Sequence, residues 1–136
     1  MAEMTEAVQK LFAKVSTVVL STADDKGVPN AVPVGAKRII DSETILVSDQ
    51  YLNKTLDNLK SNPRACLTFW EGIEGYQVKG SVSIETSGER FEETCRWIDK
   101  MSAKLGHPLV CKGVLIIKIE EIFTVTPGGD AGSKLA

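Results

Sequence analysis

A lysine and a hydroxyl residue, Lys54 and Thr55, begin a short predicted helix at a position suited to binding an anion. The first turn of a helix carries partial positive charge and free N–H groups, so it favours Asp or Glu over Lys. Lys54 adds a full positive charge there, and Asp57 offsets only part of it. Phosphate is a common ligand of such a helix start. The alternative is a tolerated surface lysine, since helix-dipole effects are only ~0.3–1 kcal/mol.

The helix itself follows from the spacing of its leucines. Leu52, Leu56 and Leu59 recur at i, i+4 and i+7 and form one apolar face. Asn53 is a suitable N-cap, and Asn62-Pro63 is a stop signal. The strand TILVSDQYL leads directly into this helix, so its end would border the same pocket, at Val47, Ser48 and Asp49.

Two further extended segments carry residues that could face a ligand. Pro29 and Pro33 lie four apart in PNAVP and share a face. Because proline cannot donate to a ladder, this is either a guarded edge strand or an irregular strand with backbone groups free for a planar ligand. In the second case Asn30 would offer its amide to a phosphate or a sugar hydroxyl. Lys79-Gly80 marks a bulge or a close approach, and Lys79 is either an anion contact or a solvated lysine.

The elements that must position these residues are mostly β-strands. Amphipathic helices are predicted near residues 5–14 and 91–105. The predicted strands are STVVLST, VPNAVPVGAKRII, TILVS, RACLTFW, GYQVKGSVSIET and KGVLIIKIEEIFTVTP. Tight turns join most of them, which favours a largely antiparallel β-barrel with helices outside. We expect one domain over residues 1–126 and a flexible glycine-rich tail over residues 127–136.

Composition excludes several classes of protein. A net charge of −2 and a pI near 5.5 argue against a general nucleic-acid binder. No apolar run approaches the roughly 20 residues that cross a bilayer, and MAEMTEAVQK does not resemble a signal peptide. These observations predict a cytoplasmic protein that binds neither nucleic acid nor membranes.

Sulfur and histidine chemistry is sparse. The three cysteines are odd in number and widely spaced, so we expect free, mostly buried thiols in a reducing cytoplasm, at Cys66, Cys95 and Cys111. His107 is the only histidine, which makes a zinc site unexpected. No GxSxG, GxGxxG or GxxxxGK[ST] motif occurs. Redox chemistry would therefore have to come from a bound cofactor.

The order of the motifs resembles a known family. TVVLSTADDKGVPNAVPV, TILVSD, NKTLDNLKSNPRACLTFW and YQVKGSVSIETSG follow one another as in the pyridoxamine 5′-phosphate oxidase-like FMN-binding split-barrel family, and most closely its small FMN-binding branch. The likeness runs over about residues 3–125. It implies a mainly β fold, a six-stranded antiparallel split β-barrel, and a homodimer with FMN at the interface. The implied cofactor-binding residues are Asn30, Ala31, Val32, Pro33, Val34, Val47, Ser48, Asp49, Lys54, Thr55, Gln77 and Lys79.

The sequence also departs from the true oxidases. Those enzymes carry a serine and a basic pair before this helix, where this chain has Asn53-Lys54-Thr55, and they carry an arginine-bearing C-terminal segment that this chain lacks. We therefore expect a flavin-dependent oxidoreductase or electron-transfer protein, not a producer of pyridoxal phosphate. Electrons would come from NAD(P)H or a redox protein. The alternatives are a deazaflavin (F420)-dependent reductase, a flavin storage module, an empty-pocket dimer, or haem binding through His107.

Overall fold

The computed structural model describes residues 2–106 and 108–136 and shows an antiparallel sheet with helices packed against it. The helices are α1 (Glu6–Lys14), α2 (Lys54–Ser61) and α3 (Glu89–Leu105). The strands are β1 (Val18–Ala23), β2 (Pro29–Val34), β3 (Lys37–Asp41), β4 (Thr44–Asp49), β5 (Arg64–Glu71), β6 (Glu74–Glu85) and β7 (Gly113–Thr124). Their order across the sheet is β2-β1-β5-β6-β7-β4-β3. The predicted mainly β split-barrel class is confirmed.

The described part of the chain has seven strands, so the expected count of six is wrong. The predicted run VPNAVPVGAKRII divides at Gly35-Ala36 into β2 and β3. These two strands lie at opposite edges of the sheet, yet only Gly35-Ala36 separates them. Three residue steps reach only about 10 Å. The sheet must therefore curl until its two edges almost meet, and the gap between them is the seam of the barrel.

The core fills the curled sheet and is closed by α1. Thr5 caps this helix, since its Oγ1 accepts a hydrogen bond from the Val8 amide at 3.3 Å. Phe12 of α1 is buried and packs edge-on against Phe69 of β5, with ring centroids 5.3 Å apart. The largest fully buried side chains are Phe12, Phe69, Leu20, Ile45, Leu46, Leu59, Leu67, Ile98, Leu115, Ile116, Ile117 and Ile119. The predicted first helix is thus confirmed, and its apolar face completes the core.

The irregularity predicted at Lys79-Gly80 is a β-bulge. The register between β6 and β7 shifts between these two residues. A Cβ atom at Gly80 would collide with the carbonyl oxygen of Lys118 on β7. The close approach that requires glycine here is therefore made by the neighbouring backbone.

The expectation of free thiols is wrong for two of the three cysteines. A disulfide joins Cys95 of α3 to Cys111, and their Cα atoms lie 5.2 Å apart. Residues 108–112 return along α3 before β7 begins, and this return brings two positions 16 residues apart together. An odd number of cysteines at wide spacing could not reveal that pairing. Cys66 is the free cysteine of the described residues, and burial raises the pKa of its thiol.

The C-terminal tail folds back along β7. The amide of Leu135 donates to the Ile122 carbonyl at 2.7 Å, and the Ile122 amide donates to the Ala136 carbonyl at 3.1 Å. Lys134 also forms an ion pair with Glu121 at 3.6 Å. The domain boundary at residue 126 and the mobility of the tail stay predictions. No helix within residues 2–106 and 108–136 is long and apolar enough to span a membrane.

Candidate functional site

A cavity of about 370 Å³ lies at the seam, between β2, the end of β4 and the start of α2. Its volume is within the range of small-molecule sites. It is lined by Asn30, Val32, Pro33, Val34, Gly35, Ala36, Ser48, Gln50, Tyr51, Leu52, Asn53, Lys54 and Thr55. Seven of the sequence-predicted residues are in that set: Asn30, Val32, Pro33, Val34, Ser48, Lys54 and Thr55.

The start of α2 opens into this cavity without a side-chain cap. Asn53 has helical backbone angles, φ −108° and ψ −75°, and its side chain makes no capping hydrogen bond. Asn53 occupies the expected N-cap position, but its side chain does not cap the helix, because an N-cap side chain reaches the first amides from an extended backbone. Lys54 is exposed and forms no ion pair with any described residue. Free amides and one unpaired cation give this wall a positive potential.

Thr55 ties α2 to the neighbouring strand. Its side chain is only 1% exposed, and its Oγ1 accepts a hydrogen bond from the Asn30 Nδ2 of β2 at 3.1 Å. One turn later Asn58 donates to the Thr22 hydroxyl of β1, also at 3.1 Å. These two bonds fix the orientation of α2 over the sheet, so Lys54 is held at the mouth of the cavity.

Ser48 lines the cavity, and its buried hydroxyl group has no partner among the described residues. Ser48 is 5% exposed, and its Oγ makes no hydrogen bond to any described atom. The backbone is satisfied, since the Ser48 amide donates to the Ala36 carbonyl at 2.9 Å, next to the pairing of β3 with β4. An unsatisfied buried hydroxyl costs about 1–3 kcal/mol. A ligand with a polar atom at that wall would remove this penalty.

Other predicted residues shape the cavity without lining it. Asp49 is 2% exposed, and its Oδ1 accepts a hydrogen bond from the Leu52 amide at 3.1 Å. It therefore holds the turn between β4 and α2. Val47 is fully buried in the core, and Ala31 is exposed outside the cavity lining.

Gln77 and Lys79 lie elsewhere on the molecule. Both are on β6, where Gln77 pairs with Thr68 and Lys79 pairs with Cys66 across the ladder with β5. The Lys79 Nζ lies 5.1 Å from the centroid of the Phe123 ring, a cation–π contact. Lys79 also lines a shallow depression separate from the seam cavity. Within one chain these two residues do not reach the cavity, and their role in binding stays a prediction.

Several lining residues were not predicted. Gly35 and Ala36 join β2 to β3, and the turn before α2 adds Gln50 and Tyr51. Tyr51 is 62% exposed, and its hydroxyl donates to the Pro108 carbonyl at 2.8 Å. The signal was the sequence QYLN immediately before Lys54, since a turn that precedes a ligand-binding helix start must border the ligand. His107, the expected candidate for haem ligation, lies outside the described residues.

Known proteins share both this sequence pattern and this fold. An uncharacterized protein of Methanocaldococcus jannaschii is 35% identical over 122 residues, which cover 88% of this chain and 79% of that protein. The crystal structure of HupZ from Group A Streptococcus has a TM-score of 0.78 and 27% identity, covering 95% of this chain and 99% of that chain.

Two more distant structures show the fold alone. An FMN-binding protein from Syntrophomonas wolfei has a TM-score of 0.76 and 23% identity, covering 88% of this chain and 84% of that chain. An F420 reductase has a TM-score of 0.66 and 15% identity, covering 88% and 98%. The model of the pyridoxamine 5′-phosphate oxidase family matches residues 4–126, which include every strand and the whole seam cavity. This chain therefore belongs to the pyridoxamine 5′-phosphate oxidase family.

Proposed function

We propose that this protein binds FMN in the seam cavity and acts as a flavin-dependent oxidoreductase or electron-transfer protein. The observation that carries the proposal is the unpartnered, buried Ser48 hydroxyl beside the uncapped, lysine-bearing start of α2. A helix start with a cation favours a phosphate. The unpartnered Ser48 hydroxyl would be satisfied by a second polar group of the same ligand. FMN carries a phosphate, a polyol chain and a polar-edged ring in one molecule.

The lining residues divide by the part of FMN that they suit. Lys54 and the first amides of α2 would hold the phosphate, and Thr55 with Asn30 would keep that helix start in place. Val32, Val34 and Leu52 would form apolar walls for the ring. When bound, FMN supplies the capacity to accept and pass on one or two electrons.

The cavity offers little acid–base chemistry of its own. The described residues that line it include no Asp, Glu, His or Cys side chain. Proton transfer by a side chain is therefore no part of the proposal, and the residues bind, orient and shield the cofactor. This feature supports electron transfer or flavin storage as much as a reaction on an organic substrate.

We further propose that two copies of the chain form the complete site. The cavity opens at the surface, where Tyr51 is 62% exposed, and an open cavity of about 370 Å³ would cover only part of a flat cofactor. Gln77 and Lys79 are too far along the sheet to reach the cavity of their own chain. In a homodimer, the partner copy is the route by which these β6 residues would contribute.

The first test is the visible absorption spectrum of the purified protein, with mass identification of any chromophore released on denaturation. Release of FMN, or a yellow complex after FMN is added, is the expected result. A protein that stays colourless and binds no FMN on titration would refute the proposal.

Lys54→Ala tests the phosphate site directly. Loss of a charge-assisted contact should weaken FMN binding by roughly 1–3 kcal/mol, measured by flavin fluorescence titration. Lys60→Ala is the matched control, because Lys60 is an exposed lysine in the last turn of the same helix. Equal affinities for the two variants would remove Lys54 from the site.

The F420 reductase of the same fold makes a deazaflavin the second candidate cofactor. The mass of the released chromophore separates the two cofactors. If FMN is bound, anaerobic addition of NADH or NADPH distinguishes turnover from storage. Bleaching of the flavin absorbance would indicate an oxidoreductase, whereas an unchanged spectrum with both donors would favour a protein electron partner or storage.

A further inference from the structure

The disulfide lies at the outer side of the seam cavity, next to the turn that forms one of its walls. Cys111 belongs to residues 108–112, which cross from α3 to β7 and contact the turn between β4 and α2. The Lys112 amide donates to the Asp49 carbonyl at 2.8 Å. Pro108 accepts the hydrogen bond of the Tyr51 hydroxyl at 2.8 Å. The two ends of this five-residue segment thus hold the cavity wall from outside.

A third hydrogen bond to the wall runs from the Lys112 Nζ to the Leu52 carbonyl at 3.5 Å. The residues of the segment are half-buried or exposed and belong to no helix or strand. The disulfide to Cys95 anchors its middle part to α3, together with a hydrogen bond from the Leu109 amide to the Ser102 hydroxyl at 3.1 Å. Helix α3 is itself fixed, since Thr94 and Ile98 are buried against the sheet. The disulfide therefore connects α3 to the segment that contacts the cavity wall.

We propose that Cys95 and Cys111 form a reversible thiol–disulfide site that sets how firmly residues 108–112 hold the Tyr51–Leu52 wall of the cavity. Both cysteines are half-buried, so a dithiol reductant can reach them. A site of this kind couples the redox state of the surroundings to the cavity through residues 108–112. Its effect on FMN affinity rests on the proposed function, whereas its effect on the segment does not.

The chemistry is an ordinary thiol–disulfide exchange. A thiolate of the reductant attacks one sulfur atom, the Cys95–Cys111 bond breaks, and a mixed disulfide forms. The second thiolate of the reductant then displaces the remaining cysteine and closes its own disulfide. Two electrons pass from the reductant to the protein, and two protons end on Cys95 and Cys111. An oxidised dithiol reverses the reaction.

The first experiment needs no cofactor. The native protein is treated with dithiothreitol, and alkylation followed by mass measurement counts its free thiols. We expect two more thiols than in the oxidised protein, and their loss when the reductant is removed and oxidised glutathione is added. A pair that stays closed in the folded protein, or does not re-form, would overturn the proposal.

Amide hydrogen exchange then measures how firmly residues 108–112 are held. Because the Lys112 amide is bonded to Asp49, it should exchange at least ten-fold faster in the reduced protein and in the Cys95→Ser/Cys111→Ser variant. Cys66→Ser is the control, since it removes a thiol and leaves the pair intact. Equal Lys112 exchange in oxidised and reduced protein would show that the disulfide does not hold the wall.

FMN titration supplies the third readout. The dissociation constant for FMN should rise five-fold or more on reduction, and bound FMN should in turn make the disulfide harder to reduce, because such coupling is reciprocal. Unchanged affinity would refute the coupling to the cofactor. If neither form binds FMN, the proposed function fails, while the exchange of Lys112 still decides whether the disulfide controls the wall.

Discussion

The hydroxyl of Ser48 is a single polar atom placed where the fold alone gives it nothing to bond. In the free protein this group is a small source of instability, and in a complex it becomes a contact. Binding sites often combine these two properties, because the side chain that best serves a ligand is not the one that best serves folding.

Ser48→Ala should separate the two roles. Removing an unsatisfied hydroxyl should leave the melting temperature unchanged or raise it, while FMN affinity falls by about 0.5–1.5 kcal/mol, the value of a neutral hydrogen bond. Calorimetry and FMN titration measure the two quantities. Ser81→Ala, a half-buried serine of β6 outside the cavity, is the control. A lower melting temperature with unaltered affinity would show that Ser48 is structural.

At this scale the sequence placed Lys54 at the start of α2, and in the structure this residue lines the cavity. Lys54 was recognisable because a cation at a helix start conflicts with the helix dipole, and such a conflict points to a ligand. The missing side-chain cap at Asn53 and the place of Tyr51 in the cavity lining were not predictable. Both depend on backbone angles and on Pro108, a residue far along the chain whose position only the fold determines.

At the scale of elements, the junction between β6 and α3 is held by an ion pair. Arg90 in the first turn of α3 donates to both carboxylate oxygens of Glu85, through Nε at 3.0 Å and through Nη2. These hydrogen bonds hold the pKa of Glu85 below its ordinary value of 4.5. The folded protein therefore binds a proton at Glu85 less readily than the unfolded chain does.

The sign of the pH dependence follows from that direction. The stabilisation by Glu85 is complete above about pH 4.5 and is lost as the pH falls through the lowered value of the folded state. Because the pair is partly exposed and screened, we expect only about 0.2–1 kcal/mol. Urea unfolding of wild type and Glu85→Gln should differ by that amount at pH 6.5, and the difference should shrink as the pH falls through the lowered pKa of Glu85.

Glu89→Gln is the control for the Glu85 experiment, because Glu89 is an exposed carboxylate in the first turn of α3, next to Arg90. A difference between wild type and Glu85→Gln that does not shrink as the solution is acidified would mean that the charge of Glu85 is not the cause.

The bulge of β6 gives the second prediction at this scale. Gly80→Ala would push a methyl group into the Lys118 carbonyl, and the two central strands would have to separate. We expect a loss of several kcal/mol, as for other overpacked core positions, seen as a large drop in melting temperature or as insoluble protein. Gly129→Ala, where a Cβ would meet no atom within 4 Å, should be close to neutral. A stable, soluble Gly80→Ala protein would contradict the assigned register.

The elements themselves were largely predictable, and the exceptions have physical causes. Alternation and turn residues located the strands, and the leucine spacing located α2. The division of β2 from β3 was missed because Gly35-Ala36 reads as continued extended chain. The Cys95–Cys111 pair was missed because it depends on how α3 packs on the sheet and not on spacing.

At the scale of the whole molecule, the proposed homodimer gives the main prediction. Sedimentation of the purified protein should give a species of twice the 14.7 kDa chain mass, with two FMN molecules bound to each dimer. Exposed Trp70 and Ile73 beside the turn from β5 to β6 provide apolar surface that a partner could cover. A monomer that binds FMN with full affinity would refute a shared site.

The order of strands also decides when the cavity can exist during synthesis. Its wall at β4 pairs in the sheet with β3 on one side and with β7 on the other, and β7 is the last strand to be made. A nascent chain that ends before residue 113 has every lining residue but lacks the strand that holds β4 in place. Any cofactor must therefore be acquired after almost the entire chain has left the ribosome, and a prematurely terminated product would be empty as well as unfolded.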